Sequence, residues 1–303
     1  MGRASSTNKR ADPSAEFLDL QTVSAFTPSV PSSNLPPRES AATIKLSQMS
    51  ELESRRTSFD DVAILYDEVR PAYLDVVIDD IAQFAVLRPE SRILEIGCGT
   101  GQITLPFADR GYQIVALEPG KALAALATRK CAAYPNVRVY EVTFEEWAAP
   151  DQNFDLVLSA QAFHWIEPYA GCRKAASILR SGGTIALVWN NDVSQETPFY
   201  KATQPIYDTY MRRDSSAGWT RADIHDALRT SGAFDEIQEI RHPWERTYSC
   251  SEYINLLHTF SDHHRLPEPA KIGFFEAIRD VIVSSGGTVT RKYEAQIVLA
   301  HRL

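Results

Sequence analysis

Apolar positions Tyr73, Val77, Ile81 and Phe84 recur at the spacing of one helix face, and Pro89 ends that pattern. Short apolar or β-branched runs then alternate with helical stretches. Strands are predicted at Arg92 to Ile96, Gln113 to Glu118, Val137 to Val142, Phe154 to Ser159 and Thr184 to Trp189, with helices at Gln102 to Arg110, Lys121 to Lys130 and Tyr169 to Arg180. Strands separated by helices imply an α/β fold, its sheet parallel and covered on both faces. From Asn190 the rhythm lengthens. Helices are predicted at Pro198 to Arg213, Arg221 to Ser231, Ser251 to Ser261 and Ala270 to Ser284. Two late strands, Ile237 to Tyr248 and Val289 to His301, lie about 40 residues apart, room enough for a helical insertion between paired strands.

The first 50 residues break this regularity with ten Ser, five Pro and four Thr and few periodic apolar positions. Such a segment buries too little surface to offset its ordering entropy. A disordered leader over residues 1–57 is the expectation, with order starting near Phe59, and deleting residues 1–50 is expected to leave folding intact. Its opening Met1-Gly2-Arg3-Ala4-Ser5-Ser6 fits a loose acylation pattern that short sequences meet by chance, so no lipid anchor is expected. Asp12, Glu16 and Asp19 interrupt the cationic face that a transit peptide needs.

Charge narrows the partners. The 303 residues carry 31 Lys plus Arg against 39 Asp plus Glu, a net charge of -8, whereas nucleic-acid binding draws most of its affinity from a basic surplus. No run reaches the roughly 18 apolar residues of a membrane helix. Together these predict a cytoplasmic protein without nucleic-acid or membrane partners. Cys98, Cys131, Cys172 and Cys250 offer no CxxC pair, so no metal site is expected.

The chemistry concentrates at Ile93-Leu94-Glu95-Ile96-Gly97-Cys98-Gly99-Thr100-Gly101, an apolar strand that runs into glycines and then a helix. Glycines let backbone approach a ligand without a Cβ collision, and free N–H groups at the next helix start suit a carboxylate or phosphate. Glu118, at the end of the second strand, stands where an acidic residue takes both hydroxyls of a ribose. The dinucleotide fingerprint wants a third glycine at the sixth position of the loop; here that position is Gln102, which opposes a nicotinamide-dependent oxidoreductase.

The GxGxG loop preceded by Glu95 resembles motif I of the class I S-adenosylmethionine-dependent methyltransferases. Tyr66-Asp67-Glu68-Val69-Arg70-Pro71, Phe144-Glu145-Glu146-Trp147, Gln161-Ala162-Phe163-His164-Trp165 and Leu179-Arg180-Ser181-Gly182-Gly183-Thr184 look like the small-molecule subgroup that includes trans-aconitate methyltransferase-like enzymes. Thr259-Phe260-Ser261 with Leu266-Pro267 is similar as well. The resemblance covers about residues 58 to 303. It implies a Rossmann-like seven-stranded, mostly parallel sheet with an antiparallel last strand and a helical cap. Residues 58–190 would form the S-adenosylmethionine-binding core, and 191–303 the cap plus the last two strands.

The resemblance also distributes roles. Gly97, Cys98, Gly99, Thr100 and Gly101 would pass beneath the methionine part of the cofactor S-adenosylmethionine, its amino group facing Glu95 or nearby carbonyls. Glu118, with Pro119, would hold the ribose; Thr143 and Phe144 would border the adenine, although the family often has Asp where Thr143 stands. Tyr66 and Arg70 would lie over the methionine end, and Ser159, Ala160 and Gln161 beside the sulfonium. Methyl transfer to a small-molecule acceptor, on oxygen or nitrogen, is the activity implied; a cofactor-binding regulator or scaffold is the competing reading.

His164 follows the fourth strand and so belongs at the carboxyl end of the sheet, where ligands of open α/β folds bind. An imidazole there suits a catalytic base. Packing of His164 and Trp165 in a tight turn remains the other reading. Arg212, Arg213, Arg246 and Arg265 are expected in solvent, though one entering the pocket would suit a carboxylate.

Overall fold

The computed structural model describes residues 62–149, 153–211 and 219–303. The expected leader, the start of order near Phe59, and Arg212 and Arg213 lie outside the described residues.

Seven strands form one sheet: β1 (Arg92–Ile96), β2 (Gln113–Leu117), β3 (Val137–Tyr140), β4 (Phe154–Ala160), β5 (Leu179–Asp192), β6 (Gln238–Ser249) and β7 (Thr288–His301). Their order is β3-β2-β1-β4-β5-β7-β6. Pairs from β3 to β5 are parallel, while β7 runs antiparallel to both β5 and β6. The antiparallel last strand is as expected. Central β1 and β4 are apolar on both faces because each face is covered by helices.

On one face, α2 (Asp75–Phe84) and α3 (Thr104–Asp109) bring Val77, Ile81 and Phe107 against Ile93, Leu156 and Ile297. On the other, α5 (Pro168–Ile178) and α7 (Arg221–Thr230) cover Leu94, Val157 and Leu187. Between these, α4 (Lys121–Lys130) follows β2. The placement of α7 differs from the cap position expected for the helices after Asn190. Its Ile224, Ala227 and Leu228 are fully buried with the sheet cluster, and an apolar stripe of that completeness joins the larger core.

The cap is built from α1 (Ala63–Val69), α6 (Pro198–Tyr210), α8 (Cys250–His258), the short α9 (Ser261–His264) and α10 (Glu268–Ser284). Val69, Ile254, Leu257, Phe274 and Ile278 pack there with Tyr248 and Tyr293, supplied by the ends of β6 and β7. Arg70 joins α1 to α8 across the sequence: its Nε donates to Thr259 Oγ1 at 2.8 Å and its Nη2 to the Thr259 carbonyl at 2.7 Å.

Two boundaries moved for tertiary reasons. The helix expected through Arg180 stops at Ile178, because Leu179 is fully buried and already pairs with Phe154. Strand β5 runs three residues past Trp189, since Asn190, Asn191 and Asp192 pair with Ala295, Glu294 and Tyr293 of the equally long β7. That extension carries both strands out of the sheet layer and into the cap.

Candidate active site

The loop after β1 is folded by its neighbour β2: the Gly97 and Cys98 N–H groups both donate to the Leu117 carbonyl, at 2.8 and 3.0 Å. Gly97 adopts φ +69, and a Cβ there would meet the Ala162 Cβ at 2.4 Å, so only glycine fits. A Cβ on Gly99 would stand 3.9 Å from the Tyr66 ring, filling the space between loop and leading helix.

Glu118 sits where β2 ends, 5% exposed. Its Oε2 accepts from the Gly99 N–H and its Oε1 from the Gly120 N–H, both at 2.8 Å. A carboxylate oxygen can accept more than one hydrogen bond. The turn beyond β3 is held by Lys174, whose Nζ donates to the carbonyls of Phe144, Glu145 and Trp147 at 2.6, 2.9 and 2.7 Å. Thr143 Oγ1 is engaged with Glu146 Oε2 at 2.8 Å. Gln161, just after β4, has φ +58, a strained conformation for a residue with a side chain, and its Nε2 donates to the Asn190 carbonyl.

These elements surround a cavity of about 490 Å³. Of the residues singled out in the sequence, it is lined by Gly97, Gly99, Glu118 and Pro119 on one side and by Thr143 and Phe144 next to them. Tyr66, Arg70, Ala160, Gln161 and His164 line it as well. Glu95, Cys98, Thr100, Gly101 and Ser159 do not. They form the layer behind the wall, where Ser159 Oγ donates to the Ile96 carbonyl at 3.0 Å. Burial pushes the Cys98 thiol well above its ordinary range, which disfavours the thiolate. Burial likewise raises the Glu95 carboxyl to about 7. Thr104 beside it counters part of that rise.

The cap closes the cavity with residues that the sequence reading did not select: Asp192, Tyr200, Tyr207, His263 and Arg291. Arg291 left a trace in the sequence, for it shares the alternating inward face of β7 with Val289 and Tyr293. Arg246, expected in solvent, lies over the Tyr248 ring and beside Glu252. Trp189 packs in the core, whereas Trp165 lines the cavity beside His164, ring centroids 4.7 Å apart. The four cysteines are free thiols, and no cluster fit for a metal occurs among the described residues. No helix among the described residues is long and apolar enough to cross a membrane.

Residues 93–183, from β1 into β5, match the family described as "Methyltransferase domain". The chain is 25% identical over 237 residues to an uncharacterized methyltransferase of Mycobacterium tuberculosis, covering 75% of this chain and 86% of that one. It is 28% identical over 226 residues to an uncharacterized methyltransferase-like protein of Schizosaccharomyces pombe, covering 74% and 84%. Its fold is similar to that of an Anaeromyxobacter dehalogenans protein assigned as a type II methyltransferase, with TM-score 0.55, 18% identity, and 77% and 97% coverage. Over residues 93–183 the chain carries a methyltransferase domain, and the relatives that match three quarters of its length are methyltransferases.

Proposed function

We propose that the protein methylates a small-molecule acceptor enclosed between the sheet and the cap, as in the trans-aconitate methyltransferase-like subgroup. The observation that carries this reading is the Glu118 carboxylate, fixed by two backbone N–H groups at the edge of a capped cavity. Glu118 and Pro119 hold the ribose, Thr143 and Phe144 border the adenine, and the loop from Gly97 to Gly101 supports the methionine end with Glu95 behind it. Tyr66 and Arg70 cover that end from the leading helix. Ser159 braces the wall, with Ala160 and Gln161 beside the methyl group. The cap and the acidic balance, -8 overall, favour a small acceptor over a nucleic acid.

Bound S-adenosylmethionine supplies an electrophilic methyl group, and its transfer leaves S-adenosylhomocysteine and releases one proton from a neutral acceptor. The protein's task is alignment and exclusion of water, and alignment alone is worth roughly 7 to 11 kcal/mol. His164, on the cavity wall, accepts the acceptor's proton. Calorimetry is expected to show S-adenosylmethionine binding and no NAD binding; tight NAD binding overturns the reading. His164→Ala is expected to lower kcat more than about tenfold while leaving cofactor affinity within about 1 kcal/mol. Equal kcat in a folded variant would reduce His164 to packing against Trp165.

A further inference from the structure

The cap wall contains a guanidinium whose hydrogen bonds the fold does not complete. Arg291 lines the cavity with its side chain 12% exposed. Its Nη2 donates to Asp192 Oδ2 at 2.7 Å, and the rings of Phe260 and Tyr293 each lie 5.3 Å from the guanidinium carbon. Nε and Nη1 are buried and have no hydrogen-bond partner among the described residues. Buried guanidinium N–H groups in native structures are paired, so an orphaned set bordering a ligand cavity calls for an acceptor from outside. Other groups on this wall do not supply one. Arg70, stacked 4.3 Å from the Phe260 ring, is itself a cation and is bonded to Thr259. His263 is held neutral, its pKa pushed down to about 3 by burial and by the charges of Arg291 and Arg70. Tyr207 meets the His263 Nε2 at 3.1 Å.

We propose that Arg291, seated on Asp192, anchors a carboxylate of the methyl acceptor; this rests on the methyltransferase reading of the cavity. The guanidinium turns on its Asp192 bond to bring an N–H edge to the ligand, between aromatic rings that suit an apolar or aromatic body. The anchored carboxylate is a handle and not the atom that is methylated. Charge-assisted bonds to Arg291 stabilise the carboxylate and weaken as it becomes a neutral ester, so they would oppose transfer to that group. The methyl group goes to another nucleophile on the same acceptor.

Benzoate and benzamide present the same ring with and without the charge. Titrated against the full-length protein with and without S-adenosylhomocysteine and read by ligand-observed NMR, benzoate is expected to bind at least about tenfold more tightly. Arg291→Gln should erase that preference. Asp192→Asn, which releases the guanidinium from its internal carboxylate, should tighten benzoate severalfold. Equal binding of the two probes, a preference kept by R291Q, or unchanged benzoate affinity in D192N overturns the assignment. With radiolabelled S-adenosylmethionine, benzoate should yield no methyl ester, and labelled ester would overturn the handle role. Failure to bind S-adenosylhomocysteine would strike the cofactor reading, while the benzoate comparison still decides Arg291.

Discussion

Gly97→Ala is expected to destabilise the protein by about 2 to 6 kcal/mol, the sum of left-handed backbone strain and overpacking. The two costs have separate sources. Gly97 has φ +69, and its added Cβ would stand 2.4 Å from that of Ala162, across the loop that leads to Gln161 and His164. Adding Ala162→Gly removes the collision and leaves the strain. The double variant should therefore recover roughly the 1 to 3 kcal/mol of overpacking. Gly101→Ala provides the comparison: φ is +87, yet the nearest atom, Thr104 Oγ1, is 3.7 Å from the new Cβ, an ordinary contact. Denaturant unfolding checks all three. Equal losses in Gly97→Ala and Gly101→Ala would show that the Ala162 contact does not constrain the loop. Because Gly97 lines the cavity, cofactor binding should fall with stability in the first variant and return with it in the double variant.

Glu118→Ala is expected to weaken S-adenosylmethionine binding by about 1.5 to 3 kcal/mol, roughly 10- to 150-fold, through loss of charge-assisted hydrogen bonds to the ribose. The free protein should also lose stability. In its folded state the carboxylate accepts from the Gly99 and Gly120 N–H groups, which are left without that acceptor in the variant. Glu118→Gln removes the charge at nearly constant size. Its amide oxygen satisfies one N–H, but its NH2 faces the other donor, so one backbone bond is kept and one becomes a donor–donor contact. The order of affinity should be wild type, then Gln or Ala well below it. Calorimetry that finds unchanged affinity in a folded Glu118→Ala would remove this residue from the ribose site.

The elements that sequence periodicity placed well are those decided by local chemistry. Lys121–Lys130 and Arg92–Ile96 fall where the pattern put them, the first opened by Gly120 and the second a continuous apolar run bounded by loops. Glu118 was legible because a strand end followed by a helix start fixes where its side chain emerges. Elsewhere the pattern named an element without its partner. The stripe of Arg221–Thr230 shows an amphipathic helix, but nothing within it says whether sheet or cap receives that stripe.

By itself, then, the sequence determined the alternation of strands and helices, the glycine loop and the acidic residue beside it, since each depends on residues close together in the chain. Tertiary structure alone decided which of those residues face the cavity: Gly97 and Gly99 line it, while Cys98 and Thr100, one position away, are turned behind the wall. It alone also brought Asp192 to Arg291, 99 residues apart, through the antiparallel pairing that runs β5 and β7 into the cap. The reason is physical. A strand's alternation shows that Arg291 points inward, but whether that inward face meets solvent, a carboxylate or a ligand cavity is set by the strand paired beside it and the helices packed over it.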